Sequence, residues 1–146
     1  MTSILLVCIL MLLISRVKET PYMLNEKRHY EKVREIIKNN ENFLEKLSYE
    51  KSLRIEKLNK IAAYLYSAVL ILFYAAIGNS LNSPIINLLS FIQICTVVVT
   101  IRLNRNVNPI NLYIDDFRFY RWYFLFNVVL DYVYYPFTFV MLLVNY

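Results

Sequence analysis

Glycine, histidine and cysteine are scarce in this 146-residue chain, which has one glycine, one histidine and two cysteines. Loops that cradle nucleotides and turns that expose a catalytic nucleophile need several glycines for close backbone approach. His29 is the only histidine, and it lies in a charged segment, whereas Cys8 and Cys95 both lie in apolar runs. Neither cysteine can therefore join His29 in a zinc site or in a Cys–His catalytic pair. We therefore expect a protein that is not an enzyme, with no catalytic, cofactor-binding or metal-binding residues and no small-molecule substrate.

Charge is also missing from long stretches. No Asp, Glu, Lys or Arg occurs in residues 1–15 or 61–101, and Asp131 is the only charged residue in 122–146. A helix needs about 20 predominantly apolar residues to cross a bilayer. The sequence predicts an all-α integral membrane protein with four transmembrane helices: an anchor in 1–17, a hairpin of two in 61–101 and a last helix in 122–146.

The charges that are present are mostly basic and fall in two segments. Residues 16–60 hold twelve Lys/Arg and eight Glu, and residues 102–121 hold the other four Lys/Arg. Lys and Arg are enriched in cytosolic loops. We therefore predict a cytosolic charged helical segment (18–60) and a cytosolic loop with an interfacial aromatic segment (102–121). The same bias explains the basic pI without a nucleic-acid partner.

The first apolar run, residues 2–15, has the length of a signal-peptide core but no basic residue before it. Arg16 and Lys18 follow it instead, which favours an uncleaved anchor with its N-terminus outside. Fourteen residues rise only about 21 Å. This span must therefore thin the bilayer or be completed by Arg16 reaching the interface.

The charged segment carries an apolar stripe at helical spacing. The pattern predicts one helix from about Asn25 to Lys38 and a second from about Glu41. One interpretation is a solvated amphipathic helix. The other is a surface that docks a partner protein or anionic lipid, through the stripe Val33, Ile37, Leu44 and Leu47.

Residues that favour helix ends and turns mark the boundaries of the hairpin and of the last helix. Gly78 is predicted to end the first arm of the hairpin in a left-handed conformation, and Pro84 to start the second. Asp115 and Asp116 are predicted to cap the start of the last helix. A metal site at these two carboxylates is the alternative, but further ligands are missing nearby.

Asp131 is the anomaly of the last span. With Asn127, Tyr135 and Thr138 it forms a polar stripe on one helix face. Buried polar groups in membranes face other helices or water. We interpret Asp131 as a structural anchor hydrogen-bonded to Asn127, Tyr135 or Gln93, which predicts that asparagine can replace it. A contact to another subunit and a proton or ion relay are the alternatives.

The segments "SRVKETP" (15–21), "NFLEK" (42–46) and "KLNKIAAYLYSAVLILF" (57–73) resemble the Lunapark family. In that family a coil enters a two-helix membrane hairpin at junctions of endoplasmic reticulum tubules. The resemblance implies a protein that organises or shapes an endomembrane. The chain lacks the second coil and four-cysteine zinc module that this family carries after its hairpin.

The order of outside N-terminus, span, basic coil and two further spans is similar to the Oxa insertase superfamily. That layout implies a subunit of an insertase for tail-anchored or similar membrane proteins. A third interpretation is an accessory subunit of an organellar complex in the mitochondrial inner membrane. All three imply membrane lipids and other membrane protein subunits as partners. The first two favour the endoplasmic reticulum.

Overall fold

The computed structural model describes residues 2–104 and 112–144, and all regular structure in these two ranges is helical. The all-α prediction is confirmed. Residues 105–111 of the predicted cytosolic loop lie outside the described residues. The helices are α1 (Thr2–Leu24), α2 (Glu26–Leu44), α3 (Tyr49–Leu81), α4 (Pro84–Leu103), a 3-10 helix (Ile114–Asp116) and α5 (Arg121–Val144).

Three of the described helices, α3, α4 and α5, are long and apolar enough to cross a membrane. Four were predicted. The first helix is not among the three because its apolar run stops at Ser15, and Arg16, Lys18 and Glu19 follow within the same helix. It continues past the predicted anchor boundary at residue 17 as far as Leu24, through Pro21.

The break between the two charged helices lies later than predicted. Asn25 caps α2, where its Oδ1 accepts a hydrogen bond from the Arg28 N–H at 3.2 Å. The helix then runs through the predicted break near Lys38 and ends at Leu44. After a short turn, α3 starts at Tyr49 and continues without interruption into the apolar hairpin.

The hairpin turn uses a different residue from the one predicted. Gly78 lies inside α3 and is buried, and a Cβ added there would lie 2.9 Å from Asn87 Oδ1 on α4. Its small size therefore serves close packing of the two arms. Asn82 ends α3 in the left-handed conformation, with φ of 43°, which asparagine tolerates better than most residues. Pro84 begins α4 as expected.

Asp115 and Asp116 also act differently from the prediction. They belong to the 3-10 helix, in which Asp116 Oδ2 accepts a hydrogen bond from the Tyr113 N–H at 3.0 Å. The last helix starts at Arg121, beyond them. Asp116 therefore caps a separate turn that precedes α5, and Asp115 lies within that turn.

Two helix pairs make up the bundle: α3 with α4, and α1 with α5. Contacts between α4 and α5 join the pairs, and α2 packs on α1 and on the 3-10 helix. The buried core draws on four of the helices. Its members are Leu5 and Ile9 on α1, Tyr74 and Ile77 on α3, Ile86 on α4, and Tyr134, Tyr135 and Leu142 on α5.

Candidate functional site

A groove of about 560 Å³, lined by both apolar and polar side chains, lies between the helices. It is lined from Ala63 to Tyr74 on α3, from Gln93 on α4 to its C-cap Asn104, and from Tyr123 to Tyr135 on α5. Each of these stretches spans at least eleven residue-to-residue steps, and eleven steps of helix rise about 16 Å. The groove therefore enters from the end of the bundle that carries α2 and reaches about 16 Å into the apolar region.

Asp131 lies at the inner end of the groove, behind its surface. Gln93 Nε2 on α4 donates a hydrogen bond to Asp131 Oδ1 at 2.8 Å. Arg16 Nε on α1 lies 2.9 Å from Oδ2. The Asp131 side chain is only 3% exposed, whereas that of Arg16 is 32% exposed and lines the groove. One carboxylate thus joins three helices.

The contact between Arg16 and Oδ2 is an ion pair. Within the described residues Oδ2 takes no hydrogen bond of good geometry, although the guanidinium Nε is at 2.9 Å. Charge attraction depends on distance and not on the N–H direction, so this pairing still stabilises both groups. Arg16 also holds a second carboxylate, since its Nη1 lies 3.2 Å from Glu19 Oε2.

The four residues of the predicted polar stripe are all buried, but they have different partners. Asp131 reaches α4 and α1, and the Tyr135 hydroxyl lies 2.6 Å from the Tyr74 hydroxyl on α3. Asn127 and Thr138 bond within α5, to the carbonyl oxygens of Tyr123 and of Tyr134 and Tyr135 respectively. Only two members of the stripe therefore connect helices.

A second tyrosine next to the stripe makes another interhelical contact. The Tyr134 hydroxyl lies 2.9 Å from Ser90 Oγ on α4. The Tyr134 ring packs edge-on against the rings of Tyr74 and Tyr135. All three tyrosines belong to the buried core, and two of them, Tyr74 and Tyr135, also line the inner end of the groove.

The outer end of the groove lies beneath α2. Val33, predicted to dock a partner, is buried at 4% exposure and lines the groove, so it is not available to another protein. His29 donates from Nε2 to the Phe117 carbonyl oxygen at 3.3 Å and contacts the rings of Phe119 and Phe124. These contacts hold α2 over the groove.

The rest of the predicted docking stripe is less enclosed. Ile37 and Leu47 are half-buried, and the side chain of Leu44 lies outside the described residues. Ile36 and Phe43, which were not predicted, are exposed at 43% and 52%. Docking of a partner on this segment stays a prediction.

One side of the groove opens between α1 and α3. These helices pack mainly against α5 and α4 and not extensively against each other. The first apolar turns of α3 are exposed at Tyr66, Val69 and Leu72, all above 60%. The groove is therefore covered by α2 at its outer end and is least enclosed beside α3, where α1 and α3 pack sparsely.

Comparison with known protein families, curated proteins and solved structures finds no match to this chain. Among the residues that the structure describes, no group of three or more His, Cys, Asp or Glu side chains is arranged to hold a metal ion.

Arg16 is the site residue that sequence reasoning missed. Its position after an apolar run suggested a side chain reaching outward to the membrane interface. In the structure it reaches inward to Asp131 at the opposite end of the sequence. The unexplained charge of Asp131 was the available signal, because a buried charge usually has a partner of opposite sign.

Proposed function

We propose that this protein is a non-enzymatic membrane assembly component that receives a short polar segment of a client membrane protein. This is the activity implied by the similarity of layout to the Oxa insertase superfamily. The observation that carries the proposal is the groove, which extends about 16 Å along the apolar helices and has polar side chains among its apolar lining. Its opening between α1 and α3 gives a client helix a route towards lipid.

The cost of moving polar groups into lipid supports this function. A charged side chain at the bilayer centre costs at least about 2.5–3.5 kcal/mol. Ser67 and Asn127 line the groove and donate hydrogen bonds within their own helices, but each keeps an oxygen that can accept a hydrogen bond at a depth where lipid offers none. A client segment in the groove therefore avoids much of this cost.

Within this proposal α1 is a fourth, shortened membrane helix. Asp131 is ten residues from the start of α5, about 15 Å along its axis. Its partner Arg16 therefore lies at a similar depth, with Lys18 and Glu19 within about 5 Å along α1. Charges at this depth require water in the groove or a locally thinned bilayer.

Photo-crosslinking tests the proposal. A photoreactive amino acid is introduced at Ser67 or Thr100 in the groove, and at Leu88 or Phe91 on the exposed outer face of α4 as matched controls. Clients are single-span membrane proteins with a short polar tail, presented to the protein in reconstituted vesicles. We expect crosslinks to the tail from the groove positions only. Equal or stronger crosslinking from α4 contradicts the proposal and favours an accessory structural subunit.

Organisation of an endomembrane is the second candidate. The close α3–α4 hairpin and the basic helical segment leading into it favour this function, as in the resemblance to Lunapark. For both candidates we propose the endoplasmic reticulum as the location, with the mitochondrial inner membrane as the alternative. Fluorescent tagging separates the two organelles, and a mild-detergent pulldown identifies the partner subunits.

A further inference from the structure

The charges at the inner end of the groove do not balance. One guanidinium, Arg16, is held by two carboxylates, Asp131 at 2.9 Å and Glu19 at 3.2 Å. The positive charge of Arg16 is matched by Asp131, its buried partner. The Glu19 side chain is 43% exposed and lines the groove. Lys18, on the same stretch of α1, is exposed and does not line the groove. Among Arg16, Asp131 and Glu19 there is therefore one more negative than positive charge.

This balance requires Asp131 to be ionised, and its contacts support that. One oxygen accepts from the Gln93 amide, and the other lies 2.9 Å from Arg16 Nε in an ion pair. Both neighbours are donors, so neither offers an acceptor for a proton on the acid. Thr96 Oγ1 lies 3.4 Å from Gln93 Oε1, which is consistent with the amide nitrogen pointing to Asp131.

The other charged side chain that lines the groove is Lys32, on α2 at the outer end. Its Nζ lies 4.6 Å from the centre of the Tyr22 ring, a cation–π contact. The charge along the groove is therefore positive at the outer end and negative at the inner end. A guest that reaches the inner end meets the exposed Glu19 carboxylate.

We propose that the groove prefers a client segment that carries a single ammonium group, either a lysine side chain or an N-terminal amine, over one that carries a carboxylate. This inference rests on the proposed function and specifies its substrate class. An ammonium near Glu19 restores the charge balance around Arg16. A carboxylate meets Glu19 and Asp131 while Arg16 is already occupied.

The test uses three single-span peptides that differ at one position of a five-residue polar tail, which carries Lys, Gln or Glu. An extended tail of this length reaches about 16 Å, the depth of the groove. Full-length protein is reconstituted in vesicles of phosphatidylcholine and phosphatidylglycerol, which contain no primary amine. Tail translocation is read by protease protection, after subtraction of the value for protein-free vesicles.

We expect the Lys tail to be translocated about fivefold better than the Gln tail, and the Glu tail about fivefold worse, as for one charge contact in a hydrated site. In the Glu19→Gln variant the Lys-to-Glu ratio should fall to about one. In Glu19→Lys it should reverse. Glu35→Gln, on the exposed face of α2, is the matched control that should keep the wild-type ratio.

The outcomes separate the two proposals. Translocation of all three tails without a preference for Lys overturns the charge selectivity and leaves the proposed function standing. A preference for Lys that persists in Glu19→Gln also overturns it, because the selectivity then arises elsewhere. Absence of translocation above protein-free vesicles for every tail overturns the proposed function, and this inference with it.

Discussion

Replacing Asp131 by asparagine removes one half of the ion pair with Arg16 but keeps the side-chain shape and an acceptor for the Gln93 amide. The sequence alone suggested that this change would be tolerated, because it considered only a hydrogen bond. The structure predicts otherwise. Arg16 would keep Glu19 as its carboxylate partner and would lose the closer one.

The magnitude follows from distance and exposure. Two unit charges about 4 Å apart interact by about 1 kcal/mol in water and by about 4 kcal/mol at an effective dielectric constant of 20. Asp131 is nearly fully buried, whereas Arg16 is 32% exposed to the groove. We therefore expect Asp131→Asn to lower the free energy of unfolding by about 2 kcal/mol, between these limits.

A double-mutant cycle isolates this contribution. Protein in dodecylmaltoside micelles is titrated with SDS, and unfolding is followed by alkylation of Cys8 on α1, with Cys95 replaced by serine. Arg16→Gln and Asp131→Asn should each destabilise, and the double variant should be more stable than the sum of the two predicts, by about 2 kcal/mol.

The partly exposed pair Glu56–Lys60, 2.6 Å apart on α3, is the matched control. Its side chains are 17% and 50% exposed, and a helical surface pair of this kind contributes about 0.3–0.5 kcal/mol. A coupling between Arg16 and Asp131 no larger than this value would refute the ion-pair reasoning. The hydrogen bond from Gln93 would then be sufficient to explain the anchor.

Three further predictions test other parts of the structure. Gly78→Ala should be nearly neutral, because the flexible Asn87 side chain can move away from the added carbon, whereas Gly78→Leu should cost about 1–3 kcal/mol in the same SDS titration. Equal effects of the two would contradict the close packing of α3 and α4. In a cysteine-free background, cysteines introduced at Asn40 and Asn82 should react with an impermeant maleimide from opposite sides of the membrane; labelling from one side overturns the predicted topology. If the charged segment docks a partner, Ile37→Glu should release that partner in a pulldown while membrane insertion continues, and an unchanged pulldown removes this residue from the interface.

The three helices that are long and apolar enough to cross a membrane were predictable because their signal is local. Residues 61–101 contain no charge, and this absence alone indicates a hairpin of two helices, which α3 and α4 form. The details of the turn were not predictable. Glycine is a preferred residue at the end of a helix, but the small size of Gly78 instead allows α4 to pack closely against α3. Asn82 takes the left-handed conformation that ends the helix. Whether a glycine ends a helix or allows close packing depends here on how α4 packs against α3, which the local sequence does not show.

The charged segment shows a similar limit. The apolar stripe correctly indicated a helix with one apolar side. The stripe did not indicate which residues or which protein would cover that apolar side, because hydrophobic periodicity shows only which face of a helix is apolar. The structure directs Val33 into the groove, and His29 joins α2 to the aromatic residues before and within α5. Part of the surface that was predicted to dock another protein therefore packs within this chain instead.

The position of α1 in the bundle is the least local feature of the fold. A hydropathy pattern ends the helix's apolar part at Ser15 and assigns Arg16 to the cytosolic side. The helix continues nonetheless, and its buried residues Leu5 and Ile9 pack in the same core as Tyr135 and Leu142 of α5. With that register fixed, Arg16 falls beside Asp131, so each charge lowers the cost of burying the other. The two residues that look anomalous separately are therefore one feature, and α1 keeps a place in the bundle that its own composition does not predict.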